Sequence, residues 1–143
     1  LILLMNFFPS IAEDILTRGY LYTHLKDQLS KNTFILVSAV VYVLNHIWRL
    51  GDHPAVLVYL FVLGLALAYA VSITRSLWLT FGIHWGANIA FQTNTFLIQT
   101  ESVTTNYQST WVLAGCFLLM LIFIWATAKY FNYGKSELIA PAD

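Results

Sequence analysis

Charged side chains are the scarcest class in this sequence. Of its 143 residues only 10% are Asp, Glu, Lys or Arg, whereas 59% are hydrophobic. A soluble domain carries roughly 25% charged residues. This chain therefore has too few polar side chains to cover a globular surface in water. The deficit excludes an ordinary soluble domain and indicates a membrane protein.

Two further classes of protein are excluded by the charge balance and by the cysteine content. Seven basic residues offset seven acidic ones, so the formal net charge is +0, whereas nucleic-acid binding requires a cationic surface. The single cysteine, Cys116, cannot form an internal disulfide. Because it lies in an apolar segment, we expect an inert buried thiol.

Long apolar runs fill most of the chain, and four of them approach the length of about 20 residues that a spanning helix needs. They cover residues 33–48, 55–73, 77–100 and 111–131. Pro54 suits the first position of a helix, where its missing N–H would be unpaired anyway. A fifth, more polar helix is expected at 10–31. These patterns predict an all-α, multi-span transmembrane helix bundle.

The bundle is expected to form one domain over residues 1–133, with a catalytic core at about 10–95 and a disordered tail at 134–143. Residues 1–8 are apolar but too short to span a bilayer. We expect them to be the end of a helix whose beginning is missing, so that the bundle lacks N-terminal helices.

The basic residues predict an orientation in the membrane. If successive connections alternate sides, one side receives Arg49 alone and the other receives five basic residues. These five are Lys26, Lys31, Arg75, Lys129 and Lys135. Basic residues are enriched in cytoplasmic loops, so the C-terminus is expected in the cytoplasm. The short loops favour the plasma membrane of a prokaryote.

Three groups of polar side chains interrupt the apolar runs, and the first lies in "SIAEDILTR". Asp14 and Arg18 are four residues apart, so on a helix they share a face and can form an ion pair. Glu13 points about 100° away from Asp14. Ser10 and Glu13 also match the S-x-x-E capping box, preceded by Pro9. Glu13 is therefore either a functional carboxylate or the cap of a helix start.

The second group is in "YVLNHIW", where Tyr42 and His46 lie four residues apart. The third is in "HWGANIAFQ", where His84 and Asn88 lie one turn apart. At about 1.5 Å per residue, His84 and Asn88 lie about 10 and 17 Å from the cytoplasmic end of their span, and His46 about 20 Å. These side chains are therefore expected to meet at a similar depth.

The third group continues as a stripe through Gln92, Thr95 and Gln99. Polar side chains in a span are costly unless they face the protein interior or water, so this stripe is expected to line a cavity. Hydrogen bonding between helices is the alternative. Gly82 and Gly86 form a G-x-x-x-G on the opposite flank, which predicts that a neighbouring helix packs closely there.

Together the three groups resemble the motifs of the CPBP family, the CAAX-type prenyl proteases and bacteriocin-processing enzymes, also called the Abi family. Its motifs are E-E-x-x-x-R, F-x-x-x-H and H-x-x-x-N/D. They correspond here to Glu13-Asp14 with Arg18, Tyr42 with His46, and His84 with Asn88. The chain departs from the pattern at Asp14, which replaces Glu, and at Tyr42, which replaces Phe and adds a hydroxyl that needs a partner.

The resemblance implies a glutamate-type intramembrane endopeptidase, similar to type II CAAX prenyl proteases, that acts on a prenylated C-terminus or a leader peptide. Its catalytic residues would be Glu13, His46, His84 and Asn88. Its supporting residues would be Asp14, Arg18 and Tyr42, and its cavity-lining residues Gln92 and Thr95. Members of the family usually carry further helices before the first motif.

We expect no cofactor, because the sequence has no H-E-x-x-H and Asn88 suits an oxyanion hole better than a zinc site. A zinc site formed by Glu13, His46 and His84 is the alternative, because three such ligands leave one coordination position open. The expected partners are membrane lipid and a peptide or lipidated protein substrate, with no nucleic acid. Two other functions stay open, a non-catalytic immunity or regulatory scaffold on the same fold, and a small transporter that uses the polar stripe.

Overall fold

The structure, a computed structural model, describes residues 1–96 and 107–131, without the side chains of 94–96. Its elements in chain order are α1 (Ile2–Asp14), a π-helical turn (Ile15–Gly19), α2 (Tyr20–Leu25), α3 (Lys31–Asn45), a 3-10 turn (Ile47–Arg49), α4 (Pro54–Thr74), α5 (Trp78–Phe96) and α6 (Gln108–Tyr130). No strand occurs in these ranges. The predicted all-α membrane bundle is confirmed.

Within the described residues, two helices have the length and composition to cross a membrane. They are α4 and α6, with mean hydropathies of 2.5 and 2.3. The predicted apolar runs correspond to α3 through α6, although α3 is shorter than a span and α5 carries the polar stripe. The number of spans and the orientation stay predictions, and the predicted tail at 134–143 lies outside the described residues.

The prediction that a helix begins at Ser10 is wrong. Helix α1 begins at Ile2 and contains Pro9, so Ser10 is a fully buried residue inside the helix rather than a cap. Its hydroxyl has a tertiary partner instead, the side-chain amide of Asn88. A capping pattern cannot distinguish these two uses of a serine, since both need only a short hydroxyl side chain at that position.

Side-chain caps occur at the starts of α3 and α4. The Ser30 hydroxyl accepts a hydrogen bond from the Thr33 backbone N–H at 3.2 Å and so caps α3. In α4, the His53 ring accepts from the Ala55 backbone N–H at 3.2 Å. Pro54 occupies the first helical turn, as predicted.

Close helix packing occurs between α3 and α4 at Gly64. A Cβ at this position would lie 3.1 Å from the Ala39 Cα atom, so the two backbones can approach only because Gly64 lacks a side chain. The prediction of close packing at Gly82 and Gly86 is wrong. Among the described residues, no atom lies within 4 Å of a Cβ built at either glycine. That face of α5 is exposed.

Helix α6 covers the outer side of α4 along a narrow contact. Ala128 and Ile124 pack with Ile73 of α4 in a buried cluster. Only 11% of the most apolar window of α6 is buried, so most of its side chains point away from the protein. Cys116 is among them and is exposed, which corrects the prediction of a buried thiol. The periodicity of a helix that is apolar on all sides does not show which face is covered.

Polar contacts between elements position the site. The Ser38 hydroxyl of α3 donates to the Thr17 carbonyl in the π-helical turn at 2.8 Å. The Thr80 hydroxyl of α5 donates to the Leu67 carbonyl of α4 at 3.0 Å. On the other side of α5, the Trp85 indole N–H donates to the Leu3 carbonyl at 3.0 Å. Helices α1, α3 and α5 are thereby held around a common interior.

Candidate active site

The first polar group lies where α1 passes into the π-helical turn. Such turns are rare and frequently occur at functional sites, because the extra residue breaks the regular ladder of backbone hydrogen bonds. Here side chains complete that ladder. The Thr17 hydroxyl donates to the Glu13 carbonyl at 2.6 Å, and the Thr17 carbonyl accepts from Ser38. The backbone that carries Glu13, Asp14 and Arg18 is thus fixed from two sides.

Asp14 and Arg18 form the predicted ion pair, and both side chains are fully buried. Arg18 Nη1 donates to Asp14 Oδ1 and also to the Thr17 hydroxyl, the latter at 2.9 Å. The guanidinium lies over the Tyr42 ring, with Cζ 4.5 Å from the ring centroid. A buried charge is tolerated only when it is paired in this way. The pair therefore ties α1 to α3.

His84 of α5 lies between the two carboxylates of α1. Its Nδ1 is 3.2 Å from Asp14 Oδ1, and its Nε2 is 3.6 Å from Glu13 Oε2. An ionised carboxylate can only accept hydrogen bonds. Nδ1 therefore carries a proton and donates a hydrogen bond to Asp14. Asp14 thus orients the histidine in addition to pairing with Arg18. The spacing of four residues predicted only the ion pair.

His46 approaches Glu13 from the end of α3. The backbone at His46 is no longer helical, with φ −98° and ψ 44°. The ring Nδ1 lies 2.8 Å from the Tyr42 carbonyl, and a carbonyl only accepts, so Nδ1 is the donor. Nε2 then faces Glu13 Oε2 at 3.9 Å. Both imidazoles therefore present Nε2 to the same carboxylate oxygen.

The predicted site residues further along α5 have different outcomes. Asn88 is half-buried, and its amide Nδ2 donates to the Ser10 hydroxyl at 3.0 Å. Gln92 is half-buried as well. The side chain of Thr95 and all of Gln99 lie outside the described residues. The structure thus brings Glu13, His46 and His84 together, and their catalytic roles stay predictions.

Several buried polar atoms at this centre have no hydrogen-bond partner among the described residues. They are Glu13 Oε2, Asp14 Oδ2, and Nε and Nη2 of Arg18. Buried polar atoms are nearly always paired with protein or water. A cluster with this many free donors and acceptors can bind a water molecule or the polar backbone of a peptide.

The alternative zinc site, formed by Glu13, His46 and His84, stays a prediction. Among the described residues, no group of three or more His, Cys, Asp or Glu side chains has the arrangement to hold a metal ion. His84 Nε2, one of the three atoms that zinc would need, already shares a hydrogen bond with the Tyr42 hydroxyl at 3.2 Å.

An apolar groove of about 330 Å³ lies away from this centre, between α3 and α4. It is lined by Val40, Val43, Leu44, Leu57, Val58 and Phe61. None of the predicted site residues contributes to it, so it is a separate feature of the outer surface.

Sequence reasoning missed three residues that support the site, Ser10, Thr17 and Ser38. A signal for Ser10 was present, because Asn6, Ser10, Asp14 and Arg18 recur at intervals of four and all four are buried. That spacing marks one face of a helix. Thr17 and Ser38 had no such signal, because their roles depend on the π-helical turn.

Comparison with known proteins identifies a family. Residues 1–90 match the family described as Type II CAAX prenyl endopeptidase Rce1-like. A search of curated proteins and a search of solved structures each gave no match. The matched residues include Glu13, His46, His84 and Asn88, and they cover more than half of the chain. The chain therefore belongs to the Rce1-like family of type II CAAX prenyl endopeptidases, which are intramembrane proteases.

Proposed function

We propose that the chain hydrolyses a peptide bond near the membrane with a water molecule activated by Glu13. The substrate class that we infer is a peptide or lipidated protein, with a prenylated C-terminus first and a leader peptide second. The observation that carries the proposal is the convergence of three helices on one carboxylate oxygen. Glu13 Oε2 lies 3.6 Å from His84 Nε2 and 3.9 Å from His46 Nε2.

Glu13 is the residue best placed to act as the general base. Its side chain is 24% exposed, whereas those of Asp14 and Arg18 are fully buried. Solvent therefore touches the Glu13 side chain but not the ion pair behind it, while Oε2 itself is buried and has no hydrogen-bond partner among the described residues. The distances from Oε2 to the two imidazoles are longer than hydrogen bonds, which is common for catalytic groups in the absence of substrate. His46 would help Glu13 to hold the water.

His84 and Asn88 are assigned to the oxyanion that forms on the scissile carbonyl. Hydrogen bonds to this developing charge are usually the largest contribution to acyl-transfer catalysis. A side-chain amide has two N–H donors. One of those on Asn88 is taken by Ser10, so the second is available for substrate. His84 is held by Asp14 through Nδ1, and it would donate through Nε2 as the doubly protonated ring, since a neutral imidazole has only one N–H.

The proposed reaction balances without a further reactant. Glu13 takes a proton from water while the water oxygen bonds to the carbonyl carbon, which gives a tetrahedral oxyanion. When the carbonyl re-forms, the C–N bond breaks and Glu13 passes the proton to the departing amine. Asp14 and Arg18 do not exchange protons in this scheme, because their role is to hold Glu13 and His84.

The decisive experiment measures cleavage of a fluorescent farnesylated peptide ending in a C-a-a-X sequence, with purified protein in lipid nanodiscs. Glu13→Gln, His46→Ala and His84→Ala should each lower kcat by about 10²- to 10⁴-fold, as expected for loss of general acid–base groups. Unchanged cleavage by all three variants would overturn the proposal and favour a non-catalytic scaffold.

His24→Ala is the matched control. The His24 ring contacts the carbonyl of Tyr20, four residues earlier, at 2.9 Å, as His46 does with Tyr42. His24 is exposed, however, and its only charged or polar contact that the structure shows is this one. The His24→Ala variant should cleave the peptide at the normal rate. The same assay with an unprenylated leader peptide distinguishes the two substrates.

Removal of metal tests the water mechanism separately. We propose that no metal takes part, and the hydrogen bond that already engages His84 Nε2 supports this. Treatment with a zinc chelator, followed by its removal, should leave kcat within twofold of the untreated protein. Loss of activity that returns on addition of zinc alone would replace the glutamate mechanism with a metal-assisted one.

A further inference from the structure

The side chain of Tyr42 makes two contacts of different kinds in the site. Its ring lies under the Arg18 guanidinium, at 4.5 Å from Cζ, and edge-on to His84, with the ring centroids 5.6 Å apart. Its hydroxyl lies 3.2 Å from His84 Nε2. The ring contacts need only an aromatic side chain, whereas the contact with Nε2 needs the oxygen.

The motif that this chain resembles has phenylalanine at the position of Tyr42. Phenylalanine would keep the packing against Arg18 and His84, because both contacts involve the ring face or edge. The hydroxyl is therefore an addition of this chain, and the structure shows where it goes. Of the described residues, His84 is its hydrogen-bond partner.

The hydroxyl completes a clamp on the imidazole. Asp14 Oδ1 holds Nδ1 at 3.2 Å, and Tyr42 holds Nε2 at the same distance on the opposite edge of the ring. With Nδ1 alone bonded, the ring could still rock about that bond. Bonds at both nitrogens fix the rotation of the ring and therefore the direction of Nε2.

Burial makes the hydroxyl hard to replace. Tyr42 is 2% exposed and His84 is 1% exposed, so bulk water does not reach the pair. A buried nitrogen that loses its partner is left unsatisfied, which costs more than the hydrogen bond itself contributed. The contact is thus favoured in the free protein, and substrate meets an imidazole that is already oriented.

We propose that the Tyr42 hydroxyl is a positioning residue of this chain, which fixes the His84 ring so that Nε2 points at Glu13 and the reacting carbonyl. The inference rests on the proposed function only in its effect on cleavage. The orientation of the ring is a property of the free protein and can be measured without substrate.

Tyr42→Phe removes the hydroxyl and keeps the ring. The variant should lower kcat on the farnesylated peptide about three- to tenfold, the range expected for one buried hydrogen bond, and KM should stay within twofold. Tyr22→Phe is the matched control. The Tyr22 ring packs against Phe34, with the ring centroids 5.4 Å apart, away from His84. The Tyr22→Phe variant should leave both constants unchanged. Unchanged kcat in Tyr42→Phe overturns the inference.

A spectroscopic measurement separates positioning from a general structural role. In protein labelled with ¹⁵N-histidine, the His84 Nε2 resonance, assigned through His84→Ala, should shift in Tyr42→Phe, while the His46 resonances stay in place. A lower kcat with an unchanged His84 spectrum would contradict the inference, because the hydroxyl would then act elsewhere.

Two measurements on the unmodified protein test the inference independently of the Tyr42→Phe variant. In the unmodified protein the Tyr42 hydroxyl proton should exchange slowly with water and show a nuclear Overhauser effect to the His84 ring, which tests the clamp if Tyr42→Phe does not fold. Absence of both signals overturns the clamp. Normal cleavage by Glu13→Gln, by contrast, would remove the proposed function and leave the ring orientation intact.

Discussion

The side of the bundle formed by α1 and α5 differs from the side formed by α4 and α6 in what is buried. Helix α1 buries Asn6, Ser10 and Asp14, with no buried apolar residue. Helix α4 buries residues such as Leu60, Leu63 and Leu67, all of them apolar or glycine. Buried polar groups must find specific partners, whereas apolar groups need only contact. The polar side therefore holds the proposed catalytic residues Glu13 and His84, and the apolar side supplies packing.

Mutations on the two sides should affect different properties of the protein. On the α4–α6 side, a change should lower stability and leave the activity of each folded molecule intact. On the α1–α5 side, a change should lower activity even where stability is kept, since the same hydrogen bonds orient the reacting groups. Variants on the two sides therefore test whether the division holds.

The largest effect is expected for Asp14→Asn. The substitution keeps the shape but removes the charge that balances Arg18, and both side chains are fully buried. Loss of one partner of a buried pair costs about 3–5 kcal/mol. Loss of the carboxylate that orients His84 should also lower kcat by about 10²- to 10⁴-fold. Thermal unfolding in detergent and peptide cleavage measure the two effects.

Asp52→Asn is the control for that variant. Asp52 pairs with Arg49 at 2.6 Å, but their side chains are 39% and 35% exposed. Exposed pairs contribute about 0–1 kcal/mol, so stability and cleavage should stay near normal. Equal losses in the two variants would contradict the assignment of Asp14 to the site.

Gly64→Val tests the boundary between the two sides, where α4 packs on α3. The new side chain would press on Ala39, whose Cα lies 3.1 Å from the Cβ position. Overpacking of this kind costs about 1–3 kcal/mol. The same Cβ position lies 3.3 Å from Cδ1 of the Tyr42 ring. We therefore expect a lower unfolding temperature together with a lower kcat per folded molecule.

Gly82→Val provides the comparison, because the Cβ position there has no described neighbour within 4 Å. This variant should unfold like the unmodified protein. A loss of stability in Gly82→Val that equals the loss in Gly64→Val would show that packing at Ala39 is not responsible. Helix propensity could not explain it either, because valine has a higher helix propensity than glycine.

The smallest effect is expected for Ser10→Ala. The Asn88 amide would lose its hydrogen bond to the Ser10 hydroxyl, which is 3.0 Å long. One such hydrogen bond contributes about 0.5–1.5 kcal/mol to stability. Because Asn88 is assigned to the oxyanion, kcat should fall about two- to tenfold. Ser72→Ala is the control, since the Ser72 hydroxyl donates only to the Tyr69 carbonyl of its own helix, at 2.6 Å. Equal kcat in the two variants would remove Ser10 from the site.

Much of the fold was predictable from local pattern. The apolar runs predict α3 to α6, because the run lengths and Pro54 reflect local chemistry. The Asp14–Arg18 pair was predictable from a spacing of four. The resemblance of the motifs then selects the residues that the structure brings together.

The remainder required the three-dimensional structure. Ser10 matched a capping pattern, yet its partner is Asn88, 78 residues away along the chain. Gly82 and Gly86 matched a packing motif, yet the close contact is at Gly64. In each case a local pattern fits more than one environment, and only the neighbouring helix decides between them.

The sequence by itself determined that this protein is a helical membrane protein with ionisable groups at three places along the chain, because composition and helical spacing are local properties. Only the tertiary structure decided that Asp14 orients His84, that the Tyr42 hydroxyl has Nε2 as its partner, and that both imidazoles face Glu13. The physical reason is that a buried polar side chain must find a partner, and here those partners come from helices distant in sequence.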